Sequence, residues 1–546
     1  MSLALLIVIP FVGGVISWIV ARWSVTACRW IALAAPIAGL GLAIGIWAQH
    51  FGRGVPLLSS SGSAGMIKQY DVAWIPQAGI RFHLGVDGLS LIMLMLNFAL
   101  VAVAVLASWR GVRTRVGEFH FLVLLTAAGL AGVFLALDLF LFYFFFELML
   151  VPLFFLIAYW GHENRRRASL KFFIYTQAGG LLMLVAILGL YVLHGRATGV
   201  YTFDYLQLLS TSLSSRAAFW LMMGFFLAFA VKLPALPLHG WLPDAHSQAP
   251  TAGSVILAGL LIKVGAYGMI RFMFPLFPKA SFSIQTVAMA LGAAGIVYGA
   301  VMAFAQRDLK RMVAYTSVSH MGFVLLGIFA WNQYALQGVV LQIVCHAFST
   351  GGLFVLAGSL DERLQTRDLS RMGDLWSALP RFGGVGMFLA MAALGLPGLG
   401  NFVAEFLILL GAFQVNQPIA IVGAFGLVFA TVYALWLIQR VFHGRSSKEA
   451  IASPESTGSS RGEDDIRAAR SKLWDLSFRE IAVFAAAIIV IVWLGLYPET
   501  LVRTFKETTD SLFRLATPTA TAVQPAAQGA PSPAASTSQA AVEVRP

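Results

Sequence analysis

The stretch Ala217-Ala218-Phe219-Trp220-Leu221-Met222-Met223-Gly224-Phe225-Phe226-Leu227-Ala228-Phe229-Ala230-Val231-Lys232-Leu233-Pro234-Ala235-Leu236-Pro237 decides how this chain folds. A helix of such residues has no polar face for water, so its surroundings are lipid or other apolar helices. Proline lacks the backbone N–H and clashes with the preceding turn, so Pro234 and Pro237 must break or bend the span just after Lys232. Breaks at membrane depth are tolerated where the freed backbone groups line protein or a water-filled cavity, and there a buried lysine can be hydrated and titrate. The competing reading is a lysine that snorkels from a helix end to the surface.

The rest of the chain is of the same kind. Its 546 residues are 59% hydrophobic and only 11% charged, with a mean hydropathy of +0.80, whereas soluble domains carry about a quarter charged residues. Apolar residues recur in blocks of roughly twenty, the length a helix needs to cross about 30 Å of hydrocarbon. Runs such as residues 121–136 and 181–192 do not alternate between apolar and polar, which excludes a transmembrane barrel. The expected fold is an all-α polytopic membrane protein of about fourteen transmembrane helices, two of them discontinuous, with an inverted repeat. The chain opens on an apolar stretch, residues 3–21, without a charged lead-in or a small-residue cleavage site, and reads as a first retained helix.

A net charge of +12 could suggest nucleic acid as a partner, but the basic residues are strung between apolar blocks and form no common polar face. Membrane topology explains them better. Arg22 and Arg29, Arg110, Arg113 and Arg115, Arg165 to Arg167 with Lys171, and Arg307, Lys310 and Arg311 join odd spans to the even ones that follow. The connections near Asp138, Asn332 and Asn416 carry almost no positive charge. The positive-inside rule then puts the basic connections on the cytoplasmic side of a bacterial inner membrane and both termini outside. Cys28 and Cys345 each stand alone in apolar segments, which offers no disulfide framework and no iron–sulfur spacing. No dinucleotide fingerprint, phosphate loop or haem-ligand pair stands out, so no cofactor is expected on this chain.

The chain divides into residues 1–118, with three spans and a long interfacial loop bearing Tyr70, Trp74 and Phe82; a helical repeat over 119–275; a second over 276–442; a cytoplasmic loop over 443–477; a last span over 478–499; and a Pro/Ala-rich tail over 500–546, expected to lack fixed structure. Glu147 sits in Phe144-Phe145-Phe146-Glu147-Leu148-Met149-Leu150, where a carboxylate costs several kcal/mol unless protonated, paired or hydrated. Lys263 lies too deep in the next span to reach either surface. His320 and His346 fall in successive spans, and histidine can relay protons near neutral pH. Glu405 follows Pro397 in a second interrupted span, beginning Leu394-Gly395-Leu396-Pro397. The structural alternatives are a neutral glutamate serving as packing glue and satisfied core histidines. His239, Asp244 and His246 fit no standard zinc spacing, and no metal site is expected.

Val231-Lys232-Leu233-Pro234-Ala235-Leu236-Pro237-Leu238-His239-Gly240-Trp241-Leu242-Pro243-Asp244-Ala245-His246, followed by residues 249–259 and Leu261-Ile262-Lys263-Val264-Gly265-Ala266-Tyr267-Gly268, closely resembles the signature of the antiporter-like subunits of respiratory complex I. Residues 310–322 and His346-Ala347-Phe348 resemble later motifs of that family, and the likeness spans residues 85–440. The resemblance implies proton translocation by Glu147, Lys232, Lys263 and Glu405. A glutamate in the second broken helix, where the L-type and N-type branches and the cation/proton antiporters usually carry lysine, is the M-type pattern. It also implies a parent complex holding NADH, FMN, iron–sulfur clusters and quinone in other subunits, with L-type and N-type neighbours in the bilayer. The alternatives are a subunit of a multi-subunit cation/proton antiporter or of a membrane-bound hydrogenase complex; a structural scaffold would leave the buried charges without a role.

Overall fold

The computed structural model describes residues 2–50, 66–444 and 474–516. Thirteen helices among them are long and apolar enough to cross a membrane. In chain order the helices are α1 (Ser2–Val20), α2 (Val25–His50), α3 (Gly88–Ala107), α4 (Val116–Leu135), α5 (Leu139–Trp160), α6 (Arg165–Thr198), α7 (Ser215–Lys232), α8 (Trp241–Gln248), α9 (Thr251–Leu276), α10 (Gln285–Phe304), α11 (Leu309–Ala330), α12 (Gln333–Leu364), α13 (Pro380–Ala393), α14 (Gly400–Val415), α15 (Gln417–His443), α16 (Phe478–Leu496) and α17 (Glu499–Ala516). The spans α9, α11 and α12 are buried along their apolar stretches, whereas α1, α16 and most of the outer helices keep one face free for lipid. The interrupted span expected around Pro397 is formed by α13 and α14, which meet there across a break.

The two ends of the bundle differ in charge. At one, the basic connections touch one another: Arg29 donates to the Val112 carbonyl, Trp160 to that of Thr114, and Arg367 pairs with Asp308 at 3.3 Å. This is the basic end. At the other, a hairpin of β1 (Lys68–Ile75) and β2 (Ile80–Val86) covers the starts of α3 and α5. It is tied down by the Leu137 N–H on the His83 carbonyl and by Arg81 N–H on the Asp138 carboxylate, which also caps α5 through the N–H groups of Phe140 and Leu141. The expected interfacial loop is therefore, over its described part, a two-stranded hairpin in an otherwise helical chain. Tyr70 and Phe82 meet edge to face across it, and Trp74 packs edge-on against Phe144.

Five consecutive spans with the fourth broken occur twice, as α4, α5, α6, α7–α8, α9 and as α10, α11, α12, α13–α14, α15. The first set leaves the basic end with α4, after the arginines at 110–115, and the second leaves the hairpin end with α10, reaching Arg307 only at its far end. The same order is thus run in opposite directions, the geometry of an inverted repeat.

One boundary needs correction. Residues 500–516, expected to belong to a tail without fixed structure, form α17, with Val502, Phe505 and Leu512 buried. The Gly88 N–H donates to Thr508 Oγ1 and Trp47 Nε1 to Thr504 Oγ1, so α17 lies across the end of α2 and the start of α3. Its apolar positions recur at helical spacing among charged ones, a pattern hidden by the composition of the tail beyond it. The rest of that tail, and most of the expected loop over 443–477, lie outside the described residues.

Candidate functional site: a line of buried ionisable groups

The first break forms as the sequence dictates. Helix α7 ends at Lys232, the Leu233 N–H still reaches the Phe229 carbonyl, and the chain passes Pro234 and Pro237 before α8 begins at Trp241. Its loose carbonyl at Val231 is taken by the indole N–H of Trp241 at 2.9 Å. A single side chain thereby closes a gap that would otherwise leave a buried acceptor unpaired, at a cost of about 1–3 kcal/mol. The second break runs through Gly395, Pro397 and Gly398. Gly395 adopts a φ of +81°, and a Cβ there would sit 3.1 Å from Glu405 Oε2, so conformation and space both call for glycine.

Four of the expected residues are joined in pairs. Lys263 Nζ lies 2.7 Å from His346 Nδ1 and also donates to the Ala258 carbonyl. His320 Nδ1 lies 2.9 Å from Glu405 Oε1. The two imidazole centroids are 5.2 Å apart, which makes one line of the two pairs. All four residues are buried, and they come from α9, α11, α12 and α14. Lys263 sits between two local widenings of α9, residues 257–261 and 269–273, where the hydrogen bonds slip to the π pattern. Such widenings are frequent at functional sites.

Glu147 and Lys232 are not brought into contact. Both Glu147 oxygens and Lys232 Nζ lack a hydrogen-bond partner within 3.5 Å, and the ammonium instead lies 4.5 Å from the centroid of the Phe146 ring. Gln177 on α6 faces the carboxylate, and Gly180 one turn on lets it approach so closely that a Cβ there would overlap Glu147 Oε1. Polar atoms this deep are ordinarily hydrogen-bonded, which sets these two side chains apart from the paired groups of the line.

Sequence reasoning missed several partners. Gln342 Nε2 donates to Glu405 Oε1 at 2.8 Å, and Tyr433 Oη lies 3.4 Å from His320 Nε2. Gln342 precedes His346 by one helical turn, a spacing that could have flagged it. Nothing in the sequence announces Tyr433, Gly180 or Gly395. Of the residues considered for a metal, His239 faces Tyr298 edge-on, Asp244 pairs with Lys171 at 2.6 Å and Arg311 at 3.1 Å, and His246 stacks on Phe354.

A polytopic bundle of inverted five-helix repeats, each with a broken helix beside a buried ionisable residue, defines the antiporter-like class of membrane proteins. The family described as "NADH:quinone oxidoreductase/Mrp antiporter, TM" matches residues 136–431. NADH-quinone oxidoreductase subunit M of Escherichia coli K12 is 49% identical over 509 residues, covering 92% of this chain and 96% of that protein. The same subunit of Pseudomonas aeruginosa is 49% identical over 505 residues, covering 91% and 95%. Among solved structures, a chain of respiratory complex I from Thermus thermophilus superimposes with a TM-score of 0.80 at 30% identity, over 95% of this chain and 100% of that one. A chain of the Mrp complex from Dietzia, with a TM-score of 0.77 at 22% identity, shares the fold. The chain belongs to the NADH-quinone oxidoreductase subunit M family.

Proposed function

We propose that this chain is the M-type proton-translocating subunit of a bacterial complex I, in which NADH oxidation and quinone reduction in other subunits drive protons along its buried line. The observation that carries the reading is the continuity of Lys263, His346, His320 and Glu405. The Lys263 ammonium gives its proton to His346 Nδ1. The opposite nitrogen, His346 Nε2, has no partner and releases its proton through water toward His320 Nε2; His320 Nδ1 then protonates Glu405. Each imidazole takes a proton on one nitrogen and loses one from the other, so no charge has to stay on either ring. Glu147 and Lys232 form the preceding station. Their separation means that a water or a side-chain swing must close the pair before each transfer.

Flavin, iron–sulfur clusters, NADH and quinone belong to partner subunits in this reading. The segregation of arginines supports a cytoplasmic basic end, with both termini outside the inner membrane. The two lipid-facing flanks of the repeats suit L-type and N-type neighbours. The test is Lys263→Ala in the assembled complex in membrane vesicles. Proton uptake per NADH oxidised should fall severalfold, while NADH oxidation by ferricyanide, which needs only the redox subunits, stays at the wild-type rate. Unchanged pumping would overturn the reading.

A further inference from the structure

His246 is completely buried, and neither ring nitrogen has a hydrogen-bond partner. Its ring is nonetheless fixed, stacked on Phe354 at 4.6 Å between centroids and 10° between planes, and its carbonyl accepts from Ser254 Oγ. A buried imidazole with both nitrogens unpaired costs several kcal/mol unless water reaches it. Two buried lysines are held by carbonyls of the segments that flank it, at Ala249 and Ala258. Lys310, itself 1% exposed, donates to the Ala249 carbonyl at 3.1 Å, one turn from His246. Lys263 bends back toward the basic end to reach the Ala258 carbonyl. Phe354, on which His246 stacks, lies on α12 two turns beyond His346, the partner of Lys263.

The series continues outward. Arg367 pairs with Asp308, the N-cap of the helix that carries Lys310, at 3.3 Å and with Asp361 at 4.0 Å, and Asp361 Oδ2 lies 3.7 Å from Nε2 of the half-exposed His162. The His162 N–H donates to the Gln248 carbonyl, two residues from His246. Beside it a polar cavity of about 360 Å³ opens at the basic end, lined by Asn164, Arg167, Asp244, Ser247 and Gln248 among others.

We infer that His246 is a relay residue of a second proton inlet, running from the basic end through His162, Asp361 and Lys310 to Lys263 without passing Glu147 or Lys232. The Lys310 ammonium gives a proton through water to one nitrogen of His246, and the other nitrogen returns a proton to the neutral Lys263 amine. This rests on the proposed pumping role of the Lys263 line. The experiment therefore sets His246→Phe, which keeps an aromatic ring against Phe354 but cannot carry a proton, beside Lys263→Ala in the same vesicles. With the amount of assembled complex read from blue-native gels, His246→Phe should lower proton uptake per NADH roughly threefold or more. If that variant fails to assemble, His246→Gln, which can hydrogen-bond but not titrate, decides in the same assay and should show the same loss. Loss of pumping in Lys263→Ala together with wild-type pumping in the His246 variant would overturn the inlet alone. Wild-type pumping in Lys263→Ala would overturn the line and the inlet with it.

Discussion

His320 Nδ1 and Gln342 Nε2 converge on the same oxygen of Glu405, at 2.9 and 2.8 Å. The histidine can exchange a proton with that carboxyl, whereas the amide can only hold it in place. Glu405→Gln should therefore cut coupled proton uptake about tenfold or more, the range expected when a positioned acid or base is lost. Gln342→Leu should cause a smaller loss, and Glu405→Gln combined with Gln342→Leu no more than Glu405→Gln alone. Proton uptake in vesicles measures all three.

Gly180→Ala tests the first station. The added methyl would overlap Glu147 Oε1, so the carboxylate must rotate away from Gln177. Because misplacement by about 1 Å can cost a hundredfold in a positioned group, the variant should pump about as poorly as Glu147→Ala. The double variant should be no worse, since both changes act on one carboxylate.

Trp241→Phe removes the donor that closes the first break and leaves the Val231 carbonyl unpaired. A loss of about 1–3 kcal/mol is expected, visible as a lower melting temperature of the purified complex in nanodiscs. Pumping should fall with it, because Lys232 is the next residue.

The last span is pinned by Arg363, whose two terminal nitrogens each lie 2.9 Å from an oxygen of Glu480. The pair is buried, and Ser477 also donates to the carboxylate. Arg363→Met strands the carboxylate, and breaking such a pair typically costs about 3–5 kcal/mol. Blue-native gels should show little assembled complex, with partial recovery in Arg363→Met combined with Glu480→Gln.

His162, in the connection between α5 and α6, has its pKa pushed down to about 4, chiefly by burial and then by the charges of Lys310 and Arg367. The folded protein thus favours the neutral ring. That contribution is complete above the ordinary value of 6.5 and is lost as pH falls toward 4. Between pH 7 and pH 4.5 the wild type should lose more thermal stability than His162→Gln, as nanodisc melting curves would record.

How far the sequence carries can be seen residue by residue. Apolar runs, prolines and isolated charges located the spans and both breaks and singled out Lys263, His320, His346 and Glu405 as candidates, because burying a charge in lipid is costly enough to leave a mark on composition. The register between helices leaves no such mark. Which nitrogen faces which oxygen, that Gln342 rather than water steadies Glu405, and that Lys232 rests over Phe146 instead of on Glu147 depend on contacts between spans far apart in the chain. Helix α17 escaped for the opposite reason: its amphipathic pattern is short and adjoins a low-complexity tail that dominates the composition of the segment.

The two breaks present their backbone ends differently to the side chains beside them. Lys232 is the final residue of its half-helix, with its ammonium over the Phe146 ring; Glu405 stands in the second turn of the half-helix that starts at Gly400. The field of a helix end fades within about one turn. The lysine at the first break has only the Phe146 ring beside its ammonium, while the glutamate at the second leans on His320 and Gln342. The inverted repeat is symmetric in its helices and asymmetric at its breaks: the ionisable residue closes the half-helix before the first and stands inside the half-helix after the second.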